Sequence, residues 1–113
     1  MIWLEIISVR TATYEETAAA LDLCKKIRAQ GSTGQPIELR VYCSASYETD
    51  LSVHIRWNFN GKRHGKTALG LELGAALSKL GFVNHTLWME VVPKGLPRGQ
   101  SETPVEYRGH CRS

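Results

Sequence analysis

No run in this 113-residue sequence reaches the roughly 18 to 20 consecutive apolar residues that a membrane-crossing helix needs, so a spanning protein is not expected. The apolar opening, Met1 to Val9, has Glu5 inside it and lacks both a basic n-region and a small-residue cleavage site. It is therefore not read as a secretory leader, and the cytoplasm is the expected address. Cysteine is scarce: Cys24, Cys43 and Cys111 are odd in number and contain no CxxC pair, which argues against a disulfide framework and against a zinc pattern. Cys24 and Cys43 are expected to be reduced, buried thiols. The four histidines, His54, His64, His85 and His110, lack the HExxH spacing, so neither a metal site nor a cofactor is expected. Positive charge is also thin. Of the formal net charge of +3, most comes from Lys94, Arg98, Arg108 and Arg112 near the end of the chain, set against Glu102 and Glu106. The remainder is nearly neutral and has no dense basic face, so nucleic acid is not an expected partner.

What is present is the composition of one soluble globular domain, with 42% hydrophobic and 22% charged residues, in a chain too short for a second core. Ile2 to Val9 reads as a strand with Ile2, Leu4 and Ile6 on one face and Trp3, Glu5 and Ile7 on the other. Thr13 and Glu16 have capping-box spacing, and Tyr14, Ala18, Leu21, Cys24 and Ile27 then recur with helical period until Gly31. After turn material from Ser32 to Pro36, Ile37, Leu39, Val41 and Cys43 alternate with polar neighbours. Beyond a polar loop through Glu48 and Asp50 the same period returns in Leu51, Val53, Ile55, Trp57 and Phe59, which predicts a hairpin. Gly61 to Gly65 breaks the pattern. Leu69, Leu73, Ala76, Leu77 and Leu80 form a helical stripe ending at Gly81, and a last strand is expected from about His85 to Val92.

This order predicts an α+β, ferredoxin-like β-α-β-β-α-β domain over residues 1–92: a four-stranded antiparallel sheet with two helices on one face. Residues 93–113, with Pro93, Pro97 and Pro104, read as a basic tail that is loose or wraps a partner. The uncovered sheet face is expected to carry Trp3 and Glu5, Arg40 and Tyr42, His54 and Arg56, and Trp88 and Glu90. Aromatics mixed with opposite charges suit pairing with a second copy, so a homodimer through this face is expected, with room for a small-molecule ligand between the sheets.

The order of elements, the third strand Leu51 to Trp57 ending in Trp-Asn, and the helix running into Leu80-Gly81-Phe82 resemble the dimeric α+β barrel superfamily, in particular its antibiotic-biosynthesis monooxygenase-like domains. The resemblance implies a pocket between sheet and helices with a Trp near the end of the third strand, which Trp57 matches. Cofactor-independent oxygenases of that kind place an Asn four residues earlier, where this chain has Val53. Haem-degrading members use an Asn on the first strand and a His on the second helix, and neither is present here.

Two catalytic candidates follow, Trp57 from the resemblance and His54 as a general base on the uncovered face. Trp3, Glu5, Arg40, Tyr42, Arg56, Trp88 and Glu90 are the ligand-binding candidates. The function expected is binding of a small molecule or a protein partner; the alternative is a cofactor-independent monooxygenase or isomerase acting on an aromatic or polyketide-like substrate. Gly65-Lys66-Thr67 resembles the end of a phosphate-binding loop, but Asn60 stands where the motif needs Gly. It reads as a solvated basic loop, and His85 as a residue fixing the start of the last strand.

Overall fold

The computed structural model describes residues 2–30, 36–59 and 65–91. Six elements follow in the predicted order: β1 (Ile2–Thr11), α1 (Tyr14–Gln30), β2 (Glu38–Cys43), β3 (Asp50–Asn58), α2 (Ala68–Leu77) and β4 (Gly81–Met89). The four strands form one antiparallel sheet in the order β2-β3-β1-β4. Strands β1 and β3 are central, and each helix links two strands separated by a third. This is the ferredoxin-like arrangement, with the helices on one face. The expected tail, residues 93–113, and the loop at 61–64 lie outside the described residues.

The core forms between the helices and one face of the sheet. Leu51, Val53, Ile55 and Trp57 supply it from β3, and Leu69, Leu73 and Leu77 from α2, all buried; here the alternation and the helical stripe both point where the sequence pattern sends them. In β1 the phase is opposite to expectation. Trp3, Glu5, Ile7, Val9 and Thr11 are buried under the helices, while Ile2, Leu4 and Ile6 lie on the open face and are only partly covered. Both faces of this strand are apolar enough to enter a core, and Glu5 is the residue that pointed the pattern the wrong way. Trp3 and Glu5 therefore do not belong to the open face.

Helix α1 begins as predicted. The Thr13 hydroxyl accepts from the Glu16 amide at 3.2 Å, and the Glu16 carboxylate accepts from the Ala12 amide at 3.2 Å, which satisfies two donors at the helix start. Its buried stripe is shifted from the predicted one: Thr17, Ala20 and Cys24 face inward while Tyr14 is exposed. Thr17 can be buried because its hydroxyl lies 2.6 Å from that of Thr11 and donates to the Thr13 carbonyl at 3.0 Å. Strand β4 starts at Gly81, four residues before His85, because Val83 pairs with Val9 and extends the ladder back to the turn.

The cysteines divide. Cys43 is disulfide-bonded, which corrects the expectation of a reduced thiol, whereas Cys24 is free and buried as expected. Burial pushes the Cys24 thiol up to about 11, so at neutral pH its thiolate fraction lies about a hundredfold below that of an exposed thiol. Native protein treated with iodoacetamide at pH 7 is expected to leave Cys24 unlabelled while denatured protein labels it. Rapid native labelling would show that α1 opens readily.

Candidate functional site

Glu5 is fully buried in the centre of the sheet, directly beneath α2. An unpaired carboxylate there would be costly by several kcal/mol, and three elements supply donors to offset this. The Trp57 indole Nε1–H from β3 donates to Oε1 at 3.0 Å. Thr67, at the start of α2, donates twice, from its hydroxyl to Oε1 at 2.6 Å and from its amide to Oε2 at 3.1 Å. His85 Nε2 from β4 meets Oε2 at 2.6 Å. Each carboxyl oxygen thus has two partners, and three of the four are fixed N–H or O–H donors.

Thr67 is also the N-cap of α2, its hydroxyl accepting from the Gly70 amide at 2.9 Å. The Gly-Lys-Thr segment that resembled a phosphate loop does place an anion at a helix N-terminus, where the backbone dipoles favour one. That anion is Glu5 of the same chain. The His85 side chain is only 8% exposed, with Nε2 turned to Glu5; the tautomer and charge of the ring set whether Nδ1 donates or accepts. Around the same end of the sheet, Trp57 stacks on Phe59 with centroids 5.6 Å apart, and Trp3 lies 6.4 Å from Phe59. The buried Trp3 Nε1–H has no hydrogen-bond partner among the described residues.

The open face gathers the remaining candidates. Leu4 and Ile6 form the floor of a groove of about 450 Å³, lined also by Glu38, Tyr42, His54, Arg56, Trp88 and Glu90. His54 contacts the Tyr42 ring with centroids 4.6 Å apart, and its Nε2 lies 2.9 Å from the Ser52 hydroxyl; partial burial pulls its pKa below the ordinary histidine value. Arg40 is held by Glu38 at 2.8 Å, and the Tyr42 hydroxyl and Glu38 raise its pKa further. Arg56 enters no ion pair among the described residues. A second cavity of about 450 Å³ at the other end of the face is lined by Ser8, Arg10, Tyr42, Asp50, Phe82 and Asn84, among others. Among the described residues no group of three or more His, Cys, Asp and Glu could hold a metal ion, and no helix is long and apolar enough to cross a membrane.

Six of the site residues named from sequence, Arg40, Tyr42, His54, Arg56, Trp88 and Glu90, do share the open face. Trp3, Glu5 and Trp57 come together on the opposite side. Sequence reasoning missed His85 and Thr67. The available signal was that His85 alternates with Val83 and Leu87 on the core face of its strand, so a buried imidazole there required a buried partner.

No protein-family model matches the sequence, and no curated protein matches it significantly. Solved structures do. A candidate antibiotic biosynthesis monooxygenase from Deinococcus radiodurans superposes with a TM-score of 0.60 at 17% identity, covering 86% of this chain and 99% of that one. A second such candidate, from Nitrosomonas europaea, gives 0.59 at 13% identity over 83% and 94%. The Rv0793 protein of Mycobacterium tuberculosis gives 0.59 at 14% identity over 84% and 100%. At these identities the likeness concerns the fold. The chain thus has the ferredoxin-like α+β fold of the antibiotic biosynthesis monooxygenase-like proteins.

Proposed function

We propose that this protein is a homodimeric binding module that pairs through its open sheet face and holds a small apolar carboxylate between the sheets. The observation that carries this reading is the groove over Leu4 and Ile6. It has an apolar floor, aromatic walls in Tyr42 and Trp88, and at its rim an arginine, Arg56, that forms no ion pair among the described residues although Glu38, its cross-strand neighbour, and Glu90 line the same groove. Trp88 is 57% exposed and Phe82 86% exposed, and large aromatics of this kind are the usual anchors of an interface. Arg56 supplies the planar two-donor fork that matches a carboxylate.

Sedimentation equilibrium is expected to give a dimer at micromolar concentration, and Trp88→Ala to weaken that dimer by about tenfold or more. Benzoate is expected to quench tryptophan fluorescence in the wild type and not in Arg56→Leu. A wild-type monomer that leaves its fluorescence unchanged by benzoate would remove this reading.

A second reading, a cofactor-independent oxygenase or isomerase, is supported by one observation: Trp57 is tied to Glu5, and Glu5 to His85, in the layer between sheet and helices. The names of two structural neighbours point in the same direction.

A further inference from the structure

The disulfide at Cys43 has a partner that the sequence identifies. The chain holds three cysteines, Cys24, Cys43 and Cys111. Cys43 is bonded, and Cys24 is free and buried. Within one chain the remaining thiol is that of Cys111, which lies outside the described residues. Cys43 ends β2, an edge strand. It pairs in register with Leu51 and packs against the core, so its side chain lies on the helix side at the rim of the sheet. The Cα atoms of a disulfide stand about 4.4–6.8 Å apart, which brings the end of the chain to that rim.

The same rim borders the second cavity of the open face, which Cys43 and Ser44 line together with Arg10, Tyr42, Asp50 and Phe82. Phe82 is 86% exposed and Tyr42 42% exposed, so two large rings are left uncovered there. Arg10 and Asp50 already satisfy each other through a two-point ion pair, at 3.0 and 3.1 Å, and an occupant with apolar side chains is what the cavity favours. Register puts Cys43, Leu51, Val9 and Val83 on one line across the sheet. From Cys43 to Phe82, next to Val83, is therefore about 14 Å at the spacing of adjacent strands. Residues 105–111, extended, cover about 20 Å. Tyr107 and Val105, the nearest aromatic and aliphatic residues before Cys111, fall within the distance to Phe82. Residues 92–104 give roughly 40 Å of further reach, more than the roughly 23 Å back along β4 from Met89 to Phe82.

We propose that Cys43 is joined to Cys111 and that the end of this chain, from about Val105, is the occupant of this cavity, with Tyr107 and Val105 packed on Phe82 and Tyr42. The disulfide holds the segment beside the cavity at high effective concentration, so a modest apolar contact is enough to seat it. Among the described residues the cavity shares only Tyr42 with the carboxylate groove, and the chain has the length to reach Cys43 without crossing that groove. Phe82 then anchors the chain's own end, and Trp88 remains as the exposed anchor of the pairing face. The inference holds whether or not the open face pairs.

The test uses full-length protein purified without reductant. Digestion under non-reducing conditions is expected to release the peptides of Cys43 and Cys111 as a linked pair, with Cys24 recovered as a thiol. Hydroxyl-radical footprinting then reads Phe82, with the exposed Tyr14 of α1 as the reference. Phe82 is expected to be protected in the wild type and to gain reactivity several-fold in Cys111→Ser and in Tyr107→Ser, the second of which keeps the disulfide. The proposal is overturned if Cys43 is found unpaired or joined to another chain, or if Phe82 is equally reactive in the wild type and both variants. Protection that survives in Cys111→Ser and grows with protein concentration would also overturn it, and would assign the cavity to a second copy. Failure of benzoate to bind would remove the carboxylate reading and leave this one standing.

Discussion

Gly70→Ala is expected to lower the stability of the fold by about 2–3 kcal/mol, within the range for overpacking a filled core. An added Cβ would lie 2.5 Å from the Glu5 Cδ and would overlap its oxygens. A flexible surface carboxylate would swing aside. This one cannot, because it is fully buried and each oxygen has two hydrogen-bond partners from β3, β4 and the start of α2. Relief requires α2 to move outward, which would also stretch the Thr67 contacts that begin the helix. Better helix propensity offsets only about 1 kcal/mol or less. Urea unfolding of the purified variant measures the balance. Gly74→Ala serves as an internal comparison, since it makes the same chemical change one turn later without a clash. A Gly70→Ala variant as stable as Gly74→Ala would mean that Glu5 is not fixed in the way its hydrogen bonds imply.

Glu5→Gln should also be strongly destabilising, by about 2–4 kcal/mol, although it preserves shape and removes a charge from the core. The carboxylate is acceptor-only and meets three fixed donors together with His85 Nε2. The amide brings a donor of its own, so whichever way it turns, two of the surrounding groups face an NH₂ instead of an oxygen. If the amide oxygen stays with Trp57 and the Thr67 hydroxyl, the Thr67 amide loses its acceptor, and His85 keeps its bond only by presenting an unprotonated Nε2 to the NH₂. The reverse orientation strands the indole and the hydroxyl. Thermal unfolding gives the loss, and tryptophan fluorescence shows which side is abandoned, because only the second orientation frees Trp57 Nε1. A change smaller than about 1 kcal/mol would indicate that water or a neighbouring group takes over, and that the network contributes little to holding α2 on the sheet.

Much of the fold was legible because its periodicities are clean. Strand β3 alternates without exception, with Leu51, Val53, Ile55 and Trp57 inward and Ser52, His54 and Arg56 outward. The stripe Leu69, Leu73 and Leu77 of α2 is equally plain. Register then carried Arg40 and Tyr42 to the same face as His54 and Arg56, since cross-strand partners share a face. Strand β1 was misread because its alternation is apolar in both phases. A charged residue on one face is ordinarily a sign of solvent, and here Glu5 is instead the most buried polar group of the strand. In α1, the polar Thr17 takes a place in the buried stripe because Thr11 meets its hydroxyl, a contact between two elements.

The sequence by itself determined the succession of elements, the topology that follows from it, the inward face of three of the four strands, and the gathering of aromatics and charges on one open surface. Local pattern suffices for these because side-chain direction in a strand or helix repeats with a fixed period. Only the tertiary structure decided where Glu5 points, what Thr67 and His85 do, and which glycine of α2 has no room for a side chain. Residues 5, 57, 67 and 85 come from four different elements, and the free energy of burying a carboxylate depends on whether all their donors arrive together. No window along the chain contains that information; it exists only once the sheet has been paired and α2 laid across it.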